Sequence, residues 1–241
     1  MQGKSQSDDI RFAEFPVIGM PTSARNNWYT GTEEISFSGE VQNYCVCFID
    51  LVGSTKIASD LSPPQLSRYY ELFLNAIALI ARNFRARIVK NAGDALIFYF
   101  DDTCDPKNIM NFKNVLDCCL TMGLASDMLN AKMLSEKLPP IKYRISADYG
   151  EVSVARSQSS QSEDLFGSAM NISAKINSKA RPNGLIIGES LFAIVKGLEE
   201  YTFVRSNEPL IGLKGEYSVY HVDQRDKKDV INPFDRKATN Y

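Results

Sequence analysis

Histidine is almost missing from this chain: His221 is the one example among 241 residues. A single imidazole cannot build a histidine-based metal centre, and no nucleophilic triad can be assembled from these residue types. His221 lies in the strand-like stretch YSVYHV and is given no role. Long apolar runs are missing as well. The longest, around residues 74–81, falls far short of the ~18–20 residues of a membrane span, so no membrane partner is expected. The first residues, MQGKSQSDD, lack the apolar region of a secretory signal, and a cytoplasmic protein is expected. Strong charge of either sign is absent too. Lys and Arg number 27 against 29 Asp and Glu, which argues against a surface given over to nucleic acid. Cysteine is sparse and odd in number: Cys45, Cys47, Cys104, Cys118 and Cys119. Their spacing fits no disulfide framework and no zinc knuckle, so they read as small buried hydrophobes in a reducing compartment.

What is present is enough core for one substantial domain, since 44% of the residues are hydrophobic. Residues 1–40 are polar and irregular, hold the one tryptophan, Trp28, and read as an N-terminal extension that could carry a short hairpin. Residues 41–224 are regular, and residues 225–241 form a charged tail. A strand is expected over 44–50. Ser62, Pro63 and Gln65 make a helix start with a capping box, followed by Leu66, Tyr70, Phe73, Ile77 and Phe84 at helical spacing. Strands over 86–90 and 95–100 flank a tight turn with Gly93. A long helix over about 107–134, a strand or bent pair over 143–155 and a polar loop come next. A helix over 168–180, the short strand GLIIG, one more helix and a strand over 217–223 complete the pattern. The fold class is α+β: a ferredoxin-like β-α-β-β-α-β antiparallel sheet with helices on one face and C-terminal additions.

In that topology the first and third strands are antiparallel neighbours. The end of 44–50 then lies beside the start of 95–100, and Asp50 and Asp94 converge at one sheet edge. Two anions forced together beside a core need a cation between them, and oxygen-only ligation favours Mg²⁺ or Mn²⁺. After Asp50, Gly53, Ser54 and Thr55 turn into a helix whose first N–H groups suit phosphate. Carboxylates beside a phosphate cradle point to a nucleoside triphosphate with its metal ions.

Four segments carry a resemblance. FIDLVGSTK resembles the metal-binding strand and turn of class III nucleotidyl cyclases, and VKNAGDALIFYF resembles their hairpin ending in Gly-Asp. DLFGSAMNISAKINSKARPNGLIIGESLF resembles their Asn-bearing helix and following strand, and GLKGEYSVYHV is similar to their C-terminal strand. The ordered set spans about residues 44–223. The resemblance implies that Asp50 and Asp94 bind two metal ions per site and that Lys90 and Asp164 read the base. It also implies that Asn171 orients the ribose or reacting phosphate. Lys175 stands where the family has an arginine that neutralises the leaving phosphates; it keeps the charge and loses the bidentate fork. The implied assembly is a head-to-tail homodimer, with the two aspartates from one chain and Lys90, Asp164, Asn171 and Lys175 from the other.

Helical spacing agrees in part. Ala169, Ile172, Ser173, Ile176 and Ala180 make one stripe, with Asn171 and Lys175 roughly opposite. Lysine only donates and ionised aspartate only accepts, so a Lys90/Asp164 pair fits the acceptor N1 and amino group of adenine and opposes guanine. Cytosine offers a similar edge on a smaller ring that reaches the pair poorly. The expected activity is that of an adenylate cyclase, making 3′,5′-cyclic AMP and pyrophosphate from ATP. A cyclase-like ATP-binding module that signals without turnover is the alternative. An RNA-recognition module shares the element order but would need a basic or neutral surface where Asp94 stands.

Overall fold

The computed structural model describes residues 35–157, 163–208, 210–213 and 215–225. The hairpin considered within residues 1–40 and the charged tail beyond residue 225 lie outside the described residues.

One large sheet organises the domain. Its strands are β1 (Ile35–Leu51), β2 (Arg87–Ala92), β3 (Ala95–Phe100), β4 (Tyr143–Ser157), β5 (Glu163–Gly167), β6 (Leu185–Gly188), β7 (Tyr201–Arg205) and β10 (Val219–Gln224). A separate hairpin pairs β8 (Leu210–Leu213) with β9 (Gly215–Tyr217). The helices are α1 (Ser54–Asp60), α2 (Pro63–Asn83), α3 (Ile109–Ser135), α4 (Ser168–Asn177) and α5 (Glu189–Val195). The sheet runs β2-β3-β1-β4-β6-β10-β7, with β5 on β4. Its first four strands have the expected ferredoxin-like order, and every pairing is antiparallel except β4 with β6.

Strand alternation decides what faces what. Along β1, Cys45, Cys47, Ile49 and Leu51 are buried in the core that α2 and α3 cover. Helix α2 starts where Gln65 Oε1 accepts the Ser62 N–H at 3.2 Å, and it buries Tyr69, Phe73 and Ile77. Helix α3 buries Phe112, Leu116, Cys119, Met122 and Met133. Four cysteines are buried as expected, with Cys47 and Cys119 sulfurs 3.9 Å apart, and Cys104 is exposed.

Two sequence expectations are corrected. The helices are not confined to one face: α4 and β5 cover the other, where Val46, Val89, Ile97, Tyr99, Val152, Leu165 and Ala169 form a second core. This explains why all six residues of β3 are buried. Part of the polar loop is also ordered, because residues 163–167 pair with β4. No described helix is long and apolar enough to cross a membrane.

Asp148 on β4 is fully buried. Burial pushes its pKa up to about 6, against the opposing bonds from the Tyr217 hydroxyl and the Tyr149 and Leu191 N–H groups. Its ordinary value is about 3.9, so the folded state holds the proton more tightly than the unfolded chain. The benefit is full below pH 4 and is lost as pH rises through 6. One pKa unit is about 1.4 kcal/mol, so the loss amounts to about 3 kcal/mol. Urea unfolding at a series of pH values should therefore show wild type losing about that much relative to Asp148→Asn between pH 4 and 7. A difference independent of pH would contradict it.

Candidate active site

The antiparallel register builds the site. Asp50, next to last in β1, lies opposite Ala95 on β3 and opposite Arg144 on β4. Asp94 directly precedes Ala95, in a two-residue turn that Gly93 enters at φ 66°. The two aspartates therefore meet at one end of the central strands, as expected from the sequence. Asp50 feels the encounter: burial raises its pKa, the charge of Asp94 raises it further, and Arg144 and the Leu51 N–H pull it back. Even-numbered residues of β1 face away from the α2–α3 core, so Asp50 shares the side of Val46 and Phe48. Arg144, directly opposite, shares that side.

The chain then turns. Gly53 adopts φ 76° as the N-cap of α1, a conformation that costs other residues a steric clash. Ser54 and Thr55 open this seven-residue helix, and their N–H groups have no carbonyl one turn earlier within it. Gly53 and Thr55 are exposed, and Ser54 is half-buried.

The remaining candidates lie elsewhere. Lys90 sits in β2 opposite Ile97, just past a register shift at Val89. Asp164 sits in β5 opposite Ala155. The packing of Val89 and Leu165 in one cluster brings these two strand segments together. Asn171 and Lys175 are exposed, one turn apart on α4, while Ala169, Ser173 and Ile176 are buried beneath them. The helix is pinned by Ser173 Oγ, which donates to the Val46 carbonyl at 2.8 Å, and by Asn177 Nδ2, which donates to the Arg144 carbonyl at 3.1 Å. Within one chain, Asp164 pairs with β4 eleven positions beyond Arg144, about 36 Å of strand away.

Sequence reasoning missed two neighbours of the acid pair. Arg144 is the cation nearest in register to Asp50, and only the β1–β4 pairing reveals it. The Tyr70 phenol on α2 is raised first by burial and then by the charge of Asp94, which puts it on the same edge.

Two carboxylates with oxygen donors only, one of them electrostatically strained, fit Mg²⁺ or Mn²⁺. Among the described residues no group of three or more His, Cys, Asp and Glu is placed to hold a metal. The pair therefore suits an ion completed by phosphates and water, the usual habit of Mg²⁺. In metal-free buffer at pH 7, Asp50→Asn should raise Tm by about 1–3 °C, because it removes one of two repelling anions. The gain should shrink as pH falls, because burial and the charge of Asp94 make the Asp50 carboxyl take up its proton more readily than in the unfolded chain, and added Mg²⁺ should raise the Tm of wild type only. A lower Tm for Asp50→Asn at pH 7 would refute the repulsion.

Comparison with known proteins follows the same lines. Residues 37–224 match the adenylate and guanylate cyclase catalytic domain. A cytidylate cyclase of Staphylococcus aureus is 26% identical over 162 residues, which are 65% of this chain and 38% of that protein. The chain thus spans well under half the length of this relative. The crystal structure of the adenylyl cyclase CyaB from P. aeruginosa superposes with a TM-score of 0.71 at 16% identity, covering 78% of this chain and 97% of that one. A dimeric guanylyl cyclase domain from the aquatic fungus Blastocladiella emersonii gives 0.62 at 18% identity, covering 78% and 99%. At such identities the structures speak for the fold alone. The match from the first strand to the last, on this fold, makes the chain a member of the adenylate and guanylate cyclase catalytic domain family, the class III nucleotide cyclases.

Proposed function

We propose that this domain is an adenylate cyclase that converts ATP to 3′,5′-cyclic AMP and pyrophosphate in a homodimer. The observation that carries the reading is the convergence of Asp50 and Asp94 beside Arg144. Asp50 and Asp94 would hold two divalent ions, which when bound acidify the ribose 3′-hydroxyl and neutralise the triphosphate. In the reaction the 3′-hydroxyl gives up its proton to water, its oxygen bonds to the α-phosphorus, the bond from that phosphorus to the bridging oxygen breaks, and pyrophosphate leaves. Arg144 and Lys175 supply positive charge for the leaving phosphates, and Asn171 orients the ribose or the reacting phosphate. The turn at Gly53, Ser54 and Thr55 offers N–H groups to phosphate oxygens. Most of the rate comes from positioning and charge, so no nucleophilic side chain is required.

Lys90 donates to adenine N1 and Asp164 accepts from its amino group. A site that hydrogen-bonds a base edge can penalise a wrong edge by up to about 10⁴-fold. The length of strand between Asp164 and the acid edge supports a site shared by two chains, with the acids from one and α4, Lys90 and Asp164 from the other. A cytoplasmic setting, where nucleoside triphosphates abound, belongs to the same reading.

A second reading is CTP as substrate. Cytosine presents the same acceptor and amino group to a Lys/Asp pair, and the Staphylococcus relative is named a cytidylate cyclase. Incubation of the purified protein with each nucleoside triphosphate and Mn²⁺ or Mg²⁺, with products resolved by chromatography, separates the readings. ATP should be cyclised fastest below saturation, and GTP should be used poorly. Dominant cytidine 3′,5′-cyclic monophosphate would establish the second reading. ATP binding without any product would leave a signalling module, with Lys175 in the arginine's place as its cause.

A further inference from the structure

Asp148 takes no part in the chemistry above, yet both of its carboxyl oxygens are hydrogen-bonded. It sits on β4 opposite Val46, with no exposed surface. Its Oδ2 accepts the Tyr217 hydroxyl at 2.6 Å, and its Oδ1 accepts the Leu191 N–H at 3.2 Å. The Tyr217 oxygen in turn accepts the Ser190 N–H at 3.0 Å and lies 3.0 Å from Ser190 Oγ. Glu189 Oε2 accepts the Ser218 N–H at 3.2 Å. Gly188 makes room for the carboxyl, since a Cβ there would lie 2.4 Å from its carbon. One buried carboxylate thus ties β4 to the first turn of α5 and to β9. The titratable groups acting on it are Tyr217 from β9 and Glu189 from α5, and its charge in turn raises the pKa of Cys45 on β1.

Strand β9 belongs to the hairpin with β8, and that hairpin backs α4. Leu210, Val219 and Ile186 form a buried cluster with Ile176 and Ala180, and both Tyr217 and Ile172 pack on it. Ile172 directly follows Asn171, and Ile176 directly follows Lys175. The hairpin therefore supports the side of α4 opposite its outward pair.

We propose that Asp148 is a positioning residue for the cyclase reaction: through Tyr217 it fixes the β8–β9 hairpin behind α4 and so sets where Asn171 and Lys175 stand. The inference rests on the reading that α4 presents these two residues to the nucleotide. Misplacement of a catalytic group by about 1 Å can cost about 100-fold in rate. Loss of the latch should act on kcat more than on KM, because the displaced groups serve the reacting phosphates.

The test uses the full chain with Tyr217→Phe, which removes one oxygen, and Asp148→Asn, which keeps the shape. Amide hydrogen exchange across 168–177 and 210–217 is measured by mass spectrometry beside steady-state kinetics. Exchange in α4 should rise about 10-fold in both variants while β1 and β3 stay protected, and kcat should fall about 10- to 100-fold with KM changed less. If Asp148→Asn does not fold, Tyr217→Phe decides alone. Unchanged α4 exchange would overturn the proposal whatever the kinetics. So would faster exchange with unchanged kcat, provided Asn171→Ala does lower kcat. If Asn171→Ala and Lys175→Ala themselves retain full turnover, the reading of α4 fails, and the proposal falls with it even though the exchange change persists.

Discussion

The structure depends on β1 being paired on both sides. Between β3 and β4 the register of this strand is fixed, and it puts Asp50 beside Ala95 and Arg144. Asp94 follows from the same constraint, since the turn into β3 leaves it next to the end of β1. Backbone hydrogen bonds thus hold together two anions that would otherwise separate. Part of the cost is visible in the pKa of Asp50, which burial raises first and the charge of Asp94 raises further. A divalent cation would relieve that cost, so the strain and the chemistry have one origin.

The second constraint is that the sheet is covered on both faces. Helices α2 and α3 bury one side of β1, which leaves the side bearing Asp50 to α4 and β5. Helix α4 is anchored by hydrogen bonds to the carbonyls of Val46 and Arg144, so its exposed residues are carried by a rigid element. Exposed polar residues on a well-anchored helix keep a fixed geometry, whereas the same residues on a loop would not.

Much of this was legible in the sequence, because it rests on local signals. The capping box at Ser62 and Gln65, the alternation through Cys45 and Cys47, and the stripe of Ala169, Ser173 and Ile176 each specify an element without outside help. The meeting of Asp50 and Asp94 needed only the ferredoxin-like order. What stayed hidden rests on distant pairing. Residues 163–167 (EDLFG) have too few apolar positions to announce a strand, and they become one only against β4. Strand β1 begins at Ile35, well before the apolar run, because its early residues gain their pairing from 155–157. Arg144 looks like any strand cation until the register sets it across from Asp50. Asp148 reads as one residue of a strand, and Tyr217, which holds it, is 69 positions away.

The central claim is that one chain supplies the paired acids and another supplies the face of α4, and mixing two defective proteins tests it directly. Asp50→Ala and Asn171→Ala proteins are each expected to be inactive. Random re-pairing of equal amounts gives half the dimers one variant of each kind, and one of their two sites then holds every native group. The mixture should recover up to about one quarter of wild-type cyclase activity. No recovery, in a mixture shown to contain mixed dimers, would contradict the shared site.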